Sequence, residues 1–207
     1  MAIKSGHSPL GLVKPVVFLL AATPILLLAN DTLYGVIAAN PYPTLVRETG
    51  TWSLRFLVLG LALTPLAALL GLGWLGGLRR MIGLFAAFYA FLHLLIWAKD
   101  YGFDWPFLGQ ELLAHPYLAV GFVATVLLVP LVLTSTRAAV LRLGAGVWRG
   151  LHRLVYPIAI LAWLHYEMVG RLYQPELYLT GAGLVLLLGW RLARSALRWR
   201  RTQSVLR

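Results

Sequence analysis

The chain is a succession of long apolar runs joined by short polar connections. Six runs stand out, at approximately 12–29, 52–72, 80–99, 116–134, 148–170 and 177–197. Each approaches the roughly 20 residues that a helix rising about 1.5 Å per residue needs to cross a bilayer core. The pattern predicts an all-α fold, an integral membrane bundle of six helices forming one domain over 1–207. Six such spans take up about 120 residues and leave no room for a second domain. The first 11 residues carry Lys4 and His7. The first run is too long for a secretory signal and is followed by no small-residue cleavage site, so it is read as a retained span.

Charge sorts itself to the two sides of these spans. The seven acids, Asp31, Glu48, Asp100, Asp104, Glu111, Glu167 and Glu176, fall in or beside the connections after the first, third and fifth runs. Lys4, Lys14, Arg79, Arg80, Arg137, Arg142, Arg149, Arg153, Arg191, Arg194, Arg198, Arg200, Arg201 and Arg207 collect on the opposite side. Only Arg47, Arg55, Lys99 and Arg171 accompany the acids. By the positive-inside rule, both termini are expected in the cytoplasm, as an even number of crossings requires. Trp52, Trp97 and Trp163 lie toward the outer ends and Trp74, Trp148, Trp190 and Trp199 toward the inner ends, where interfacial indoles gather.

Composition narrows the chemistry. Mean hydropathy is +0.78, and only 12% of the 207 residues are charged. The net charge of +11 would suit nucleic acid, but the basic tail RLARSALRWRRTQSVLR follows an apolar span directly. Anionic membrane lipid is therefore its expected partner, with no role for nucleic acid. There is no cysteine. Disulfides, thiolate metal sites, iron–sulfur clusters and cysteine nucleophiles are all excluded, and any metal chemistry falls to histidine.

Three histidines lie at membrane depth, where an ionisable side chain is costly and marks a candidate site. They are His93 in FYAFLHLLIW, His152 in WRGLHRLVY and His165 in LAWLHYEM. His93 lies about 20 Å from the inner end of the third span, in its outer half, and His165 lies in the outer part of the fifth. The two share a level, so they can face each other across a cofactor, and neutral imidazole is a good axial ligand for haem iron. Zinc fits less well, because no Cys or Asp completes a tetrahedral set. A lone intramembrane histidine more often only bonds a neighbouring helix; two at one depth, with a third below, weigh against that plainer reading.

His152 lies within the first turns of the fifth span, about 20 Å from His165, and the two do not share a face of an ideal helix. A kink at Pro157 would rephase them. The third span offers His152 no histidine partner. Fourteen residues before His93 stands Arg79, which with Arg80 is expected either to bind an acidic group near His152 or to act as a positive-inside anchor. The acidic group would be a second haem's propionate or a flavin phosphate. His115 and His7 are read as exposed, and Glu167 as marking a helix end.

At these residues the chain resembles the MsrQ or YedZ family, the haem-binding membrane subunit of the bacterial periplasmic methionine sulfoxide reductase system, in the ferric-reductase-like transmembrane superfamily. The resemblance covers nearly the whole chain. It rests on TGTWSLRFLVLGLALTPL (49–66), RRMIGLFAAFYAFLHL (79–94), HPYLAVG (115–121), LVLTST (131–136) and WRGLHRLVYPIAILAWLHY (148–166). In the superfamily, the third and fifth helices each carry two haem-ligand histidines. The pattern carries over to His93, His152 and His165, with Arg79 where the fourth ligand would stand.

The resemblance implies an electron path across the bacterial inner membrane through haem b, one or two per chain. Electrons would come from the quinone pool or a cytosolic flavin reductase and leave to a periplasmic molybdopterin-containing catalytic subunit that repairs oxidised proteins. Sulfoxide reduction itself would occur on that separate subunit. FMN is attributed to the family, yet no phosphate-cradling glycine loop after a strand marks a site for it. Two alternatives stay open: a free-standing transmembrane ferric or quinone reductase, and a haem-free transporter or sensor whose histidines relay protons. The outer segments 30–51 and 99–115, with five of the seven acids, are the expected partner contact.

Overall fold

A computed structural model of the chain describes residues 9–37, 39–169 and 175–205, with side chains through 197. Lys4, His7, Arg171 and Arg207, and the side chains of Arg198, Trp199, Arg200 and Arg201, lie outside the described residues. The regular structure described is all helical: α1 (Leu10–Leu33), α2 (Tyr42–Leu70), α3 (Arg79–Asp100), α4 (Trp105–Ala114), α5 (Pro116–Leu133), α6 (Arg137–Leu151), α7 (Val155–Val169) and α8 (Pro175–Val205). Five segments are long and apolar enough to cross a membrane: α1, α2, α3 with the 3-10 turn Gly73–Leu78 before it, α5, and α8 through Leu197.

The helices outrun the apolar runs wherever a local signal extends them. α2 begins ten residues ahead of the expected 52, because Asn40 Oδ1 accepts from the Tyr42 amide at 3.2 Å and Pro43 sits in the first turn. Arg47 and Glu48 are thus helical. The expected outer connection 99–115 contains α4, started by Asp104, whose carboxylate accepts from the Phe107 amide at 3.1 Å. On the other side, Thr136 caps α6 through the Ala139 amide at 3.1 Å, so what reads as a polar connection is a helix with no buried residue. Gly144, at φ 76°, breaks that helix in a conformation glycine adopts at little cost.

The expected fifth span differs most. Its described residues, 148–169, are built as the end of α6, a 3-10 turn His152–Leu154 and an α7 of 15 residues. Pro157 has no N–H for the Arg153 carbonyl, and the chain enters α7 through the tighter turn. The break between His152 and His165 therefore lies just ahead of Pro157.

Two other helix-interior prolines open backbone groups that neighbouring helices satisfy, as a lipid-embedded chain requires. Near Pro24, the Tyr89 hydroxyl enters the α1 ladder, donating to Ala21 O (3.0 Å) and accepting from the Ile25 amide (3.1 Å). Tyr89 is fully buried and ties α1 to α3. Pro65 in α2 leaves Leu61 O without its intrahelical donor, and Arg191 of α8 donates to that carbonyl. Ser53 Oγ donates to Ala86 O at 2.9 Å and joins α2 to α3. The bundle centres on two helix pairs, α2 with α3 and α5 with α7, with α8 packed across α2 and α7.

Candidate cofactor site

The two helix pairs mount a histidine each, in the same way. His93 of α3 donates from Nδ1 to Val46 O of α2 at 2.7 Å, and one turn later Gly50 gives its ring room. A Cβ on Gly50 would lie 2.9 Å from that nitrogen. His165 of α7 donates from Nδ1 to Tyr117 O of α5 at 2.7 Å, and a Cβ on Gly121 would lie 2.7 Å away. Each carbonyl fixes its ring's tautomer and orientation, so Nε2 is the nitrogen left to coordinate.

The pairs bring the two rings together edge to face, with centres 6.0 Å apart and planes at 78°. An imidazole nitrogen binds a metal at about 2.0–2.1 Å with the ring centre about 1.2 Å behind it, so two rings ligating one ion from opposite sides have centres about 6.4 Å apart. The observed separation suits that arrangement.

Both rings line a cavity of about 550 Å³, within the roughly 300–1,000 Å³ range of small-molecule sites. Leu54, Leu57, Ala90, Leu128 and Ile158 give it an apolar wall, while Thr44, Arg47, Tyr101 and Tyr117 lie toward the end of the bundle that carries α4. Among the described residues Arg47 is the only Lys or Arg in the lining, and Glu48 approaches it at 3.4 Å. Burial, then the carboxylates of Glu111 and Asp100, hold the Tyr101 phenol above its ordinary value, so it remains a donor at neutral pH.

The donor set selects among cofactors. Among the described residues there is no cluster of three or more His, Asp or Glu able to hold a bare ion. Two opposed imidazoles with an apolar wall suit haem, whose macrocycle supplies the remaining ligands and whose propionates need a cationic exit such as Arg47.

His152 sits elsewhere. Its ring stacks on Trp148 at 4.0 Å and its Nδ1 donates to Trp148 O at 3.1 Å. Nε2 is buried with no hydrogen bond of good geometry, although the ring comes up to the Leu131 carbonyl. Arg79 lies within electrostatic reach of His152 and of Arg191, whose guanidinium stands 5.5 Å over the Tyr156 ring. Arg80, one residue on, faces away and lines a groove between α1 and α3 with Lys14. At the opposite end of the bundle, His115 pairs with Glu111 at 3.2 Å and is half-buried.

Gly50, Gly121 and Arg191 escape the reading of the chain as isolated spans. The two glycines fall inside TGTW and HPYLAVG, the segments that carry the resemblance. Their signal is the cost of a glycine in a helix interior, which a close approach repays.

The sequence pattern described as "Ferric reductase like transmembrane component" matches residues 49–163. Three relatives are named protein-methionine-sulfoxide reductase heme-binding subunit MsrQ. That of Herminiimonas arsenicoxydans is 47% identical over 168 residues, 80% of this chain and 77% of the relative. That of Bordetella pertussis is 44% identical over 201 residues, 93% of each, and that of Caulobacter vibrioides 40% over 181 residues, 87% of this chain and 86% of the relative. No solved structure matches.

Proposed function

The chain belongs to the MsrQ family, among the ferric-reductase-like transmembrane proteins, and from that premise we propose that it is the haem-binding membrane subunit of a protein-methionine-sulfoxide reductase system. The observation that carries this reading is the facing pair His93 and His165, each locked through Nδ1 to a neighbouring helix. Their Nε2 atoms would hold the haem iron, and Arg47 with Tyr101 would receive the propionates. A haem b held there would supply a one-electron carrier. The chain would pass electrons, with sulfoxide reduction on a separate, molybdopterin-containing subunit outside the membrane.

Six crossings with both termini on the cytoplasmic side of the bacterial inner membrane suit the charge asymmetry. The 3-10 turn and α7 together supply 18 residues rising about 28 Å, close to a full hydrocarbon core of about 30 Å. On this topology His93 and His165 lie toward the outer face and His152 toward the inner one. Arg79, His152 and Arg191 would hold an anionic group of the electron-entry side, a second haem's propionate or the phosphate of FMN. The donor is the quinone pool or a cytosolic flavin reductase.

The test is the optical spectrum of the purified protein, oxidised and dithionite-reduced, for wild type, His93→Ala and His165→Ala. Sharp, split bands of six-coordinate haem b are expected in wild type and are largely lost in both variants, with membrane insertion intact. Full haem retention in both variants overturns the ligand assignment, and a colourless wild type returns the histidines to a proton-relay role.

A further inference from the structure

From the groove between α1 and α3 we infer a binding site for one anionic glycerophospholipid. Lys14 of α1 and Arg80 of α3 stand at the same end of the bundle and both line the groove. Neither makes an ion pair among the described residues. Acids are absent from their surroundings in sequence too, the first being Asp31 and the next after α2 being Asp100. Two uncompensated cations at a helix end flanking an apolar channel form a receptor for a phosphodiester head group.

The rest of the groove has the form of an acyl-chain bed. Phe18, Leu84, Phe85 and Phe88 wall it, and its volume is about 540 Å³. Phe18 and Phe85 meet edge to face at 5.2 Å, while Phe18 and Phe88 remain 53% and 47% exposed, open toward lipid. Along α1 it runs from Lys14 to Ile25, 11 residues or about 16 Å, about half of a 30 Å hydrocarbon core. One leaflet's lipid fits that length with its head at the cations. The cationic end is closed by Leu10 against Gly77, where a Cβ on the glycine would come within 2.8 Å of the leucine.

α1 needs such a partner. Only 11% of its apolar window is buried within the protein, and it lies outside the 49–163 segment that defines the wider family. Apart from the Tyr89 bonds and the Leu10–Gly77 contact, much of the α1–α3 seam is this groove. A quinone is the less suitable occupant, since no titratable acceptor lines the groove to take a quinol proton.

The inference is independent of haem binding and is tested without it. Purified protein in mild detergent is offered equal phosphatidylglycerol and phosphatidylcholine, and the bound lipid is counted by native mass spectrometry. Each cation adds about a fivefold preference, so wild type should retain one phosphatidylglycerol with roughly 25-fold selectivity. Lys14→Gln with Arg80→Gln should reduce this to near unity, while Arg137→Gln with Arg142→Gln in α6 leaves it unchanged. Should the double variant fail to fold, Leu84→Trp, which fills the groove without altering charge, must lose the lipid instead. Equal retention of both lipids by wild type, unchanged selectivity in the double or the filled variant, loss in the α6 variant, or displacement by ubiquinone overturns the site.

Discussion

Gly121 lies directly beneath the imidazole of His165, so that a single methyl group there would stand 2.7 Å from Nδ1. One turn earlier on the same helix, Tyr117 O accepts a hydrogen bond from that nitrogen at 2.7 Å. Gly50 and Val46 repeat the device under His93. The orientation of both rings is thus set by backbone, which is stiffer than any side-chain partner, and the absence of a Cβ is what permits it.

Gly121→Ala should therefore displace His165 without removing it. The expected result is a shift of bound haem from low-spin toward high-spin absorbance, or loss of at least half the haem per polypeptide, read by optical and electron paramagnetic resonance spectroscopy. Gly109→Ala, in α4 where a Cβ meets nothing within 4 Å, is the control and should behave as wild type. Equal spectra for both variants would remove the glycine mount from the account.

Pro65 and Arg191 form a compensating pair across α2 and α8. Arg191→Met strands the Leu61 carbonyl that the proline has already deprived of its amide donor. In a membrane this costs on the order of 1 kcal/mol, a fall of a few degrees in the thermal midpoint. Pro65→Ala restores an N–H to the same carbonyl, so the double variant should recover most of the loss. Additive effects would show that Arg191 acts through its stacking on Tyr156 instead.

Much of this arrangement can be read in the sequence, because a spanning helix converts residue number into depth. His93 and His165 announce a shared level before any neighbour is known, and the apolar runs announce the spans themselves. The rest is decided by contacts that hydropathy does not record. α4 and α6 are set by the caps Asp104 and Thr136, and the early start of α2 by Asn40 and Pro43. Arg79 and Arg80 look equivalent as basic residues, yet about 100° of helical rotation sends one toward His152 and the other toward α1. The glycine mounts require knowing that α2 faces α3 and α5 faces α7.

On the proposed topology, the acids near the α4 end would mark the electron-exit side. Asp31→Lys with Asp100→Lys reverses charge there without touching a helix cap, and should slow electron delivery to the catalytic subunit about tenfold at low salt, with the difference shrinking as ionic strength rises. Stopped-flow oxidation of the reduced protein by its partner measures it. An unchanged rate at low salt would move the docking surface elsewhere.

His152 decides the haem count. Its Nε2 is buried without a hydrogen bond of good geometry, Nδ1 is tied to Trp148 O, and Arg79 is the charge within reach. If that nitrogen ligates a second haem, His152→Ala should lower haem per polypeptide from two toward one while the His93–His165 spectrum stays intact. If Arg79 and His152 instead hold FMN, the haem ratio stays at one and the variant loses flavin fluorescence from the purified protein. A variant with unchanged haem and flavin would make His152 a packing residue on Trp148, and would confine the electron-transfer chemistry to the pair at the other end of the bundle.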